Sequence, residues 1–100
     1  MTVEQIKNFN FNTAIISTCG IDNEYFSTEK TLEQALVKKE VLKRAKTKIL
    51  LIDSSKFSSF GTHKVVSLDN YDFIVTDKRP SDEIMQYLSN LKTKILYRIY

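Results

Sequence analysis

The chain has 100 residues, which suits one domain with a modest core. Its composition, 42% hydrophobic and 27% charged with two glycines and one proline, is typical of a soluble globular protein. The net charge is +3, and the lysines are spread from Lys7 to Lys94 among nearly as many carboxylates. This mild, dispersed charge permits an anionic ligand but does not indicate the concentrated basic element of a dedicated DNA-binding domain.

The single cysteine and the single histidine exclude several other kinds of site. Cys19 is the only cysteine, so no disulfide can form within the chain, and with His63 as the single histidine a zinc site is not expected. No apolar run approaches the roughly 18 residues of a spanning helix, and the N-terminus lacks the pattern of a secretory signal. We therefore expect a cytoplasmic protein with no membrane partner, metal or cofactor.

The first half of the chain alternates between helix and strand patterns. Capping-box spacing, in which a threonine precedes a glutamine by three residues, occurs at Thr2 and Gln5 and again at Thr31 and Gln34. Between the two boxes lies a short apolar run that a Cys19-Gly20 turn closes. These patterns predict a helix from Val3 to about Phe9, a buried strand over residues 13–18, and a helix ending near Lys46.

The second half repeats the alternation and ends in a strand. The apolar run over residues 48–52 predicts a second buried strand, and residues 63–68 and 73–76 are further strand candidates. Pro80, Asp82 and Glu83 favour the start of the last helix, because carboxylates suit the positive end of its dipole. Lys94–Tyr100, which is rich in β-branched and aromatic residues, predicts a closing strand.

Strands that are apolar throughout indicate a sheet covered on both faces. When helices join such strands, the strands run parallel and the crossovers are right-handed. The sequence therefore predicts an α/β fold, a three-layer sandwich with a mostly parallel sheet. Ligands of such sheets bind just beyond the carboxyl ends of the strands. The two loops that fit this position are Thr18–Asp22 and Asp53–Lys56.

The helix that follows Thr31 carries two lysines in its apolar arc. At about 100° per residue, Lys38 falls between Leu42 and Ala45, and Lys39 also lies within the arc that should face the sheet. One interpretation is that the aliphatic stems pack on apolar surface while the ammonium groups reach water. The other is an anion site, in which a phosphate compensates the charge. Position alone favours the first interpretation, because lysines are seldom buried.

Both loops at the predicted ligand edge combine small and polar residues. Asp53–Lys56 offers a carboxylate, two hydroxyls and an ammonium group, which can recognise sugar hydroxyls and a phosphate, although aspartate and serine are also common in ordinary turns. In the other loop, Gly20 allows the backbone to approach a ligand closely. Cys19 has no histidine near it in sequence, so a small buried side chain is a commoner outcome for it than a nucleophile.

Taken in order, several segments resemble the effector domain of DeoR-family transcriptional repressors. The resemblance extends from about Thr2 to Tyr100, and it rests on the order and spacing of short motifs. The matching segments are Phe11–Asp22, Phe26–Thr28, Glu33, Lys38-Lys39, Ile52–Phe57 and Leu68–Asp77.

The resemblance implies the C-terminal part of a domain that senses phosphorylated sugars. Such a domain alters how tightly an attached helix-turn-helix domain binds DNA. It also implies a fold that resembles part of ribose-5-phosphate isomerase and the coenzyme A transferases. The implied ligand-binding residues are Cys19, Gly20, Asp22, Lys38, Asp53 and Lys56.

Two departures from the family pattern shape the expected function. The best register places Lys38 where the isomerase pattern has a catalytic glutamate, and a lysine cannot act as that carboxylate base, which favours sensing over catalysis. The helix-turn-helix domain and the first half of the effector domain are absent, so residues 1–100 are expected to form a partial effector-binding domain. We expect no enzymatic activity, DNA contact only through the absent domain, and homo-oligomers formed through exposed strand edges. The alternatives are an isomerase-like enzyme and an assembly module without a ligand.

Overall fold

The computed structural model describes residues 2–98, which form two sheets and three helices. The helices are α1 (Val3–Ile6), α2 (Leu32–Lys43) and α3 (Asp82–Ser89). The strands are β1 (Phe11–Ser17), β2 (Gly20–Ile21), β3 (Phe26–Glu29), β4 (Ala45–Leu51), β5 (His63–Ser67), β6 (Phe73–Val75) and β7 (Lys94–Leu96). Two short 3₁₀ helices, Ser54–Ser58 and Leu68–Asn70, precede and follow β5.

Side-chain caps fix the beginnings of the three helices. Thr2, Thr31 and Ser81 each accept a hydrogen bond from the backbone N–H three residues later. Each bond satisfies a donor that the first helical turn leaves unpaired. At Thr2 the reciprocal bond to the side chain of Gln5 is also present, so the capping box predicted there is confirmed.

A four-stranded parallel sheet in the order β1-β4-β6-β7 forms the main layer. Helix α2 lies in the connection from β1 to β4, and α3 lies in the connection from β6 to β7. Because all four strands run in the same direction, their C-terminal ends meet at one edge, which we call the carboxyl edge. The α/β fold with a mostly parallel sheet, predicted from the apolar runs, is confirmed.

A smaller antiparallel sheet, β2-β3-β5, contains β5 where residues 63–68 are predicted as a strand, but the sequence patterns predict neither β2 nor β3. Strand β2 occupies Gly20 and Ile21, where the sequence predicts a turn. Strand β3 buries Ser27, Thr28 and Glu29, which are all polar. Their burial is tolerated because each side chain has a partner; the Ser27 hydroxyl, for example, lies 2.8 Å from the Tyr71 hydroxyl.

One hydrophobic core joins the two sheets and the two longer helices. Helix α2 contacts strands of both sheets, and its buried side chains are Ala35 and Leu42. Helix α3 contributes Ile84 and Leu88. The remaining buried members of this core are Ile21, Leu50, Ile52, Val65, Leu68, Tyr71 and Ile74.

The opposite face of the parallel sheet is exposed to solvent within residues 2–98. Burial alternates along the strands: Leu50 is fully buried, whereas the next residue, Leu51, is 46% exposed. Ile15 and Leu96 on the same side are 59% and 53% exposed. Only one face of the predicted sandwich is therefore covered by this part of the chain. The open face, as we call it, is formed by Ile15, Ile49, Leu51, Phe73, Val75 and Leu96.

Several predicted boundaries differ from the observed ones by a few residues. The first two helices end at residues 6 and 43 rather than near 9 and 46, and the second strand of the parallel sheet begins at Ala45 rather than Lys48. The closing strand ends at Leu96, and the last two residues of its predicted span lie outside residues 2–98. No helix within residues 2–98 is both long enough and apolar enough to cross a membrane.

Candidate functional site

A cleft of about 500 Å³ opens at the carboxyl edge of the parallel sheet. Its walls come from the β2–β3 hairpin, the 3₁₀ helix that follows β4, and the connection from β6 into α3. Hydroxyl, carboxylate, guanidinium and aromatic groups line it, a mixture that suits a small polar ligand. Its lining residues include Asp22, Tyr25, Ser54, Ser58, Arg79 and Glu83.

A hydrogen bond joins two of the three walls. The N–H of Ser54, shortly after β4, donates to Oδ1 of Asp77, shortly after β6, at 2.7 Å. This bond lowers the pKa of Asp77, because a backbone N–H stabilises the ionised carboxylate. The carboxylate of Asp77 therefore fixes the spacing between the ends of two neighbouring strands.

Asp22 in the β2–β3 hairpin lines the cleft and also holds its own loop together. Its Oδ1 accepts from the backbone N–H groups of Glu24 at 3.0 Å and Phe26 at 2.9 Å. Its Oδ2 lies 3.9 Å from Nζ of Lys64 on β5. One oxygen of Asp22 is thus committed to the hairpin, and the other is only loosely paired.

The predicted polar turn Asp53–Lys56 forms the beginning of a 3₁₀ helix. Oδ1 of Asp53 accepts from Ser55 N–H at 2.9 Å and from the Ser55 hydroxyl at 2.8 Å, and these bonds lower the pKa of Asp53. Lys56 is exposed, and no carboxylate of residues 2–98 lies within 4.0 Å of its ammonium group. Ser54 of the same helix lines the cleft, so this turn forms one of its borders.

Lys38 lies on the buried face of α2, and a carboxylate from the chain compensates its charge. Nζ of Lys38 donates to Oε2 of Glu29 at 2.8 Å and to the carbonyl oxygen of Ser17, at the end of β1, at 2.6 Å. The same Glu29 oxygen accepts from Cys19 N–H at 3.2 Å. The Lys38 side chain is 22% exposed and that of Glu29 is 7% exposed. Lys39, by contrast, is exposed, which agrees with the interpretation that its ammonium group reaches water.

Gly20 allows its own backbone to lie close to the backbone of Ser59. A Cβ at this position would lie 1.7 Å from the carbonyl oxygen of Ser59 and 2.4 Å from its carbonyl carbon. No other residue type fits without moving the segment that follows the 3₁₀ helix. The sequence suggests that Gly20 lets the backbone approach a ligand closely. In the structure, the group that lies close to Gly20 is the backbone of Ser59.

Tyr25 connects the hairpin wall of the cleft to α3. Its backbone φ of +63° is in the left-handed region, which is unusual for a bulky side chain. Its ring stacks on that of Tyr87, with centroids 3.8 Å apart, and its hydroxyl donates to Oε1 of Glu83 at 3.2 Å. Partial burial, followed by the Glu83 carboxylate, raises the pKa of Tyr25.

The structure divides the six predicted site residues into two groups. Asp22 lines the cleft, and Asp53 and Lys56 belong to the turn that borders it. The other three, Cys19, Gly20 and Lys38, gather at the end of β1 and around Glu29. Lys38 lines a separate depression along α2. Within residues 2–98, no group of three or more histidine, cysteine, aspartate or glutamate side chains is placed to hold a metal ion.

Two residues of the site, Arg79 and Glu29, are missed by the sequence interpretation. Arg79 follows β6, so the rule that ligands bind beyond strand ends applies to its loop as much as to the two chosen loops. Glu29 lies on β3, whose last three residues are polar, so no apolar pattern marks this strand. The nearest signal in the sequence is the family-like segment Phe26–Thr28, which directly precedes Glu29.

Comparison with known proteins confirms the family to which the sequence motifs point. The family described as DeoR C terminal sensor domain matches residues 1–78. The deoxyribose operon repressor of Escherichia coli (strain K12) is 28% identical over 94 residues, which are 94% of this chain and 37% of that protein. The HTH-type transcriptional repressor GlcR of Bacillus subtilis (strain 168) is 27% identical over 94 residues, 94% of this chain and 36% of that protein.

A third relative, the L-fucose operon activator of Escherichia coli (strain K12), is 34% identical over 77 residues, 77% of this chain and 32% of that protein. The chain thus spans about a third of the length of the curated relatives it matches. These relatives are transcriptional regulators, as their names state. With a family match over more than three quarters of its length, the chain belongs to the DeoR C terminal sensor domain family.

Proposed function

We propose that the chain is the effector-sensing part of a transcriptional regulator and that it binds a phosphorylated sugar in the cleft at the carboxyl edge. The observation that carries the proposal is the position of the cleft: it lies where parallel α/β sheets bind ligands, and hydroxyl and charged groups converge there. Two relatives are named for deoxyribose and L-fucose operons, which supports a sugar-derived effector.

The six residues singled out from the sequence have different roles in this proposal. Asp22 and Asp53 act at the borders of the cleft, where their carboxylates recognise hydroxyl groups, and Lys56 adds positive potential there. Lys38 supports the end of β1 through its bonds to Glu29 and Ser17. Cys19 and Gly20 shape the same strand end from the beginning of the hairpin.

The proposed output is regulatory and not catalytic. Effector binding at the carboxyl edge changes the hairpin and the loops that converge there. DNA is contacted through a helix-turn-helix domain that lies outside this chain. The protein acts as a homo-oligomer, because β1 and β7 are the edge strands of the parallel sheet within residues 2–98 and unpaired edges associate readily. Light scattering that finds only monomers at all concentrations would remove the oligomer from the proposal.

Thermal shift against a ligand panel tests the proposed effector. The panel consists of deoxyribose and fucose, with and without a phosphate group, and glycerol 3-phosphate. A ligand at about 100 times its Kd stabilises the folded chain by about 2.7 kcal/mol, which corresponds to a shift of roughly 10 °C or more for a chain of this size. The expected result is stabilisation by at least one phosphorylated member. No shift with any member at millimolar concentration would count against the proposal.

Two serine variants locate the bound ligand. Ser58 lines the cleft and is exposed, so Ser58→Trp fills the cleft without disturbing the core. Ser89, at the end of α3, is also exposed and is not part of the cleft lining, so Ser89→Trp is the matched control. The Ser58 variant is expected to abolish the ligand-induced shift, and the Ser89 variant to retain it. Equal shifts in the two variants would place the ligand elsewhere.

A further inference from the structure

The cations near the carboxyl edge differ in what surrounds their charge. The ammonium group of Lys38 already holds Glu29 and a backbone carbonyl, so its charge is compensated within the protein. Lys56 is exposed and is not part of the cleft lining. Arg79 lines the cleft. Among residues 2–98 it is the one cationic residue in that lining.

The guanidinium of Arg79 keeps donors for an anion. Its bonds to Oδ1 of Asp82 at 2.8 Å and to the carbonyl oxygen of Pro80 at 3.3 Å both leave from Nη1. Tyr97 also interacts with the guanidinium through its side chain, but a guanidinium has five N–H donors in a planar fork, so these partners do not exhaust it. The Asp82 carboxylate is itself 92% exposed and can return to water when another anion takes its place.

We propose that Arg79 binds the anionic group of the effector and that Asp82 holds the guanidinium in place when the effector is absent. The inference rests on the proposed function of the cleft and identifies the residue that binds the phosphate. Arginine suits this role because its planar fork matches the oxygens of a phosphate. The hydroxyl of Ser81 in the same lining accepts from the N–H of Ile84 as the helix cap and keeps its own O–H as a donor, whereas Arg79 supplies the positive charge that attracts the anion.

The other charges of the cleft set the orientation and the class of the ligand. Asp22 and Glu83 are the carboxylates in its lining, and they repel a second anionic group while accepting hydrogen bonds from hydroxyls. The ligand therefore carries one anionic group, which faces Arg79, and a polyhydroxyl part, which faces the two carboxylates. This arrangement favours a sugar monophosphate over a bisphosphate.

Titration with inorganic phosphate, followed by NMR of the backbone amides and the Arg79 Nε–H group, tests the anion site without knowledge of the sugar. The expected result is a saturable shift at Arg79 in the wild-type chain that disappears in Arg79→Gln. The matched control is Lys78→Gln, which removes an adjacent exposed cation outside the cleft lining and should leave the remaining shifts unchanged. Absence of a saturable shift at Arg79, or equal amide shifts in the Arg79 variant, would overturn the inference.

The ligand panel separates this inference from the proposed function. In Arg79→Gln, the affinity for a phosphorylated sugar should fall by about tenfold or more, whereas the affinity for its unphosphorylated counterpart stays the same. Asp82→Asn, which frees the guanidinium, should strengthen phosphate binding. An Arg79 variant that retains the preference for phosphate refutes the role of Arg79 while effector sensing stands. A wild-type chain that binds inorganic phosphate at Arg79 but no sugar refutes the sugar effector while the anion site stands.

Discussion

Removal of the Glu29 carboxylate tests whether Lys38 has a structural role. In Glu29→Gln the side chain keeps its size but no longer compensates the charge of Lys38, which is 22% exposed. Breaking a fully buried ion pair costs about 3–5 kcal/mol, and the partial exposure of Lys38 reduces the expected loss to about 2–3 kcal/mol. For a domain of this size that loss lowers the melting temperature by roughly 8–24 °C. Urea denaturation followed by far-UV circular dichroism measures it in a chain without tryptophan.

A second substitution and a surface control sharpen this test. Lys38→Met in the Glu29→Gln background removes the remaining charge and should recover much of the lost stability, because an apolar side chain fits the buried face of α2. Glu4→Gln breaks the exposed pair with Lys7 and should have no measurable effect. A Glu29→Gln variant within about 0.5 kcal/mol of the wild type would refute the structural role of the pair.

Three further predictions follow from burial, close contact and ionisation. Leu50→Ala should cost about 3 kcal/mol, whereas Leu51→Ala on the open face should cost less than about 1 kcal/mol; equal losses in urea denaturation would contradict the assigned faces. Gly20→Ala should cost at least about 2 kcal/mol or prevent folding, because the added Cβ overlaps the backbone of Ser59; a wild-type melting temperature would disprove that contact. The lowered pKa of Asp77 means that its stabilisation is present above its unfolded pKa of about 3.9 and is lost as the pH falls through the lower folded pKa. Asp77→Asn should therefore lose stability less steeply than the wild type below about pH 4, and an identical acid-denaturation curve would count against this assignment.

The parallel sheet is predictable from the sequence because its signal is local. The apolar runs at residues 13–18 and 48–52 correspond to β1 and β4, and the threonine caps mark the start of α1 and α2. These features depend on neighbouring residues in the chain, so a single sequence contains them. The end of α2 is less predictable. Ala45 fits the apolar face of the helical pattern, so the pattern extends past Lys43, but in the structure Ala45 is the first residue of β4.

The antiparallel sheet and the charge pairing depend on contacts between distant residues. Strand β3 buries three polar residues, and their burial depends on partners such as Tyr71, 44 positions from Ser27. The compensation of Lys38 likewise depends on Glu29, and the composition of the cleft depends on Arg79 approaching Asp22 and Ser54 from a third segment. The sequence thus predicts the edge at which the candidate site lies, but not which of the cations there is available to a ligand.

Water that already touches the open face alters how stability varies with temperature. The heat capacity increase on unfolding arises mainly from apolar surface that becomes hydrated only when the chain unfolds. Ile15, Leu51 and Leu96 are about half hydrated in the native state, so they contribute less to this increase. The heat capacity change should therefore fall below the about 1.2–1.5 kcal/mol/K that is usual for 100 residues, giving a flatter curve of stability against temperature. Burial of these side chains by another surface would raise the heat capacity change and make the stability curve more strongly curved, and calorimetry would measure that increase.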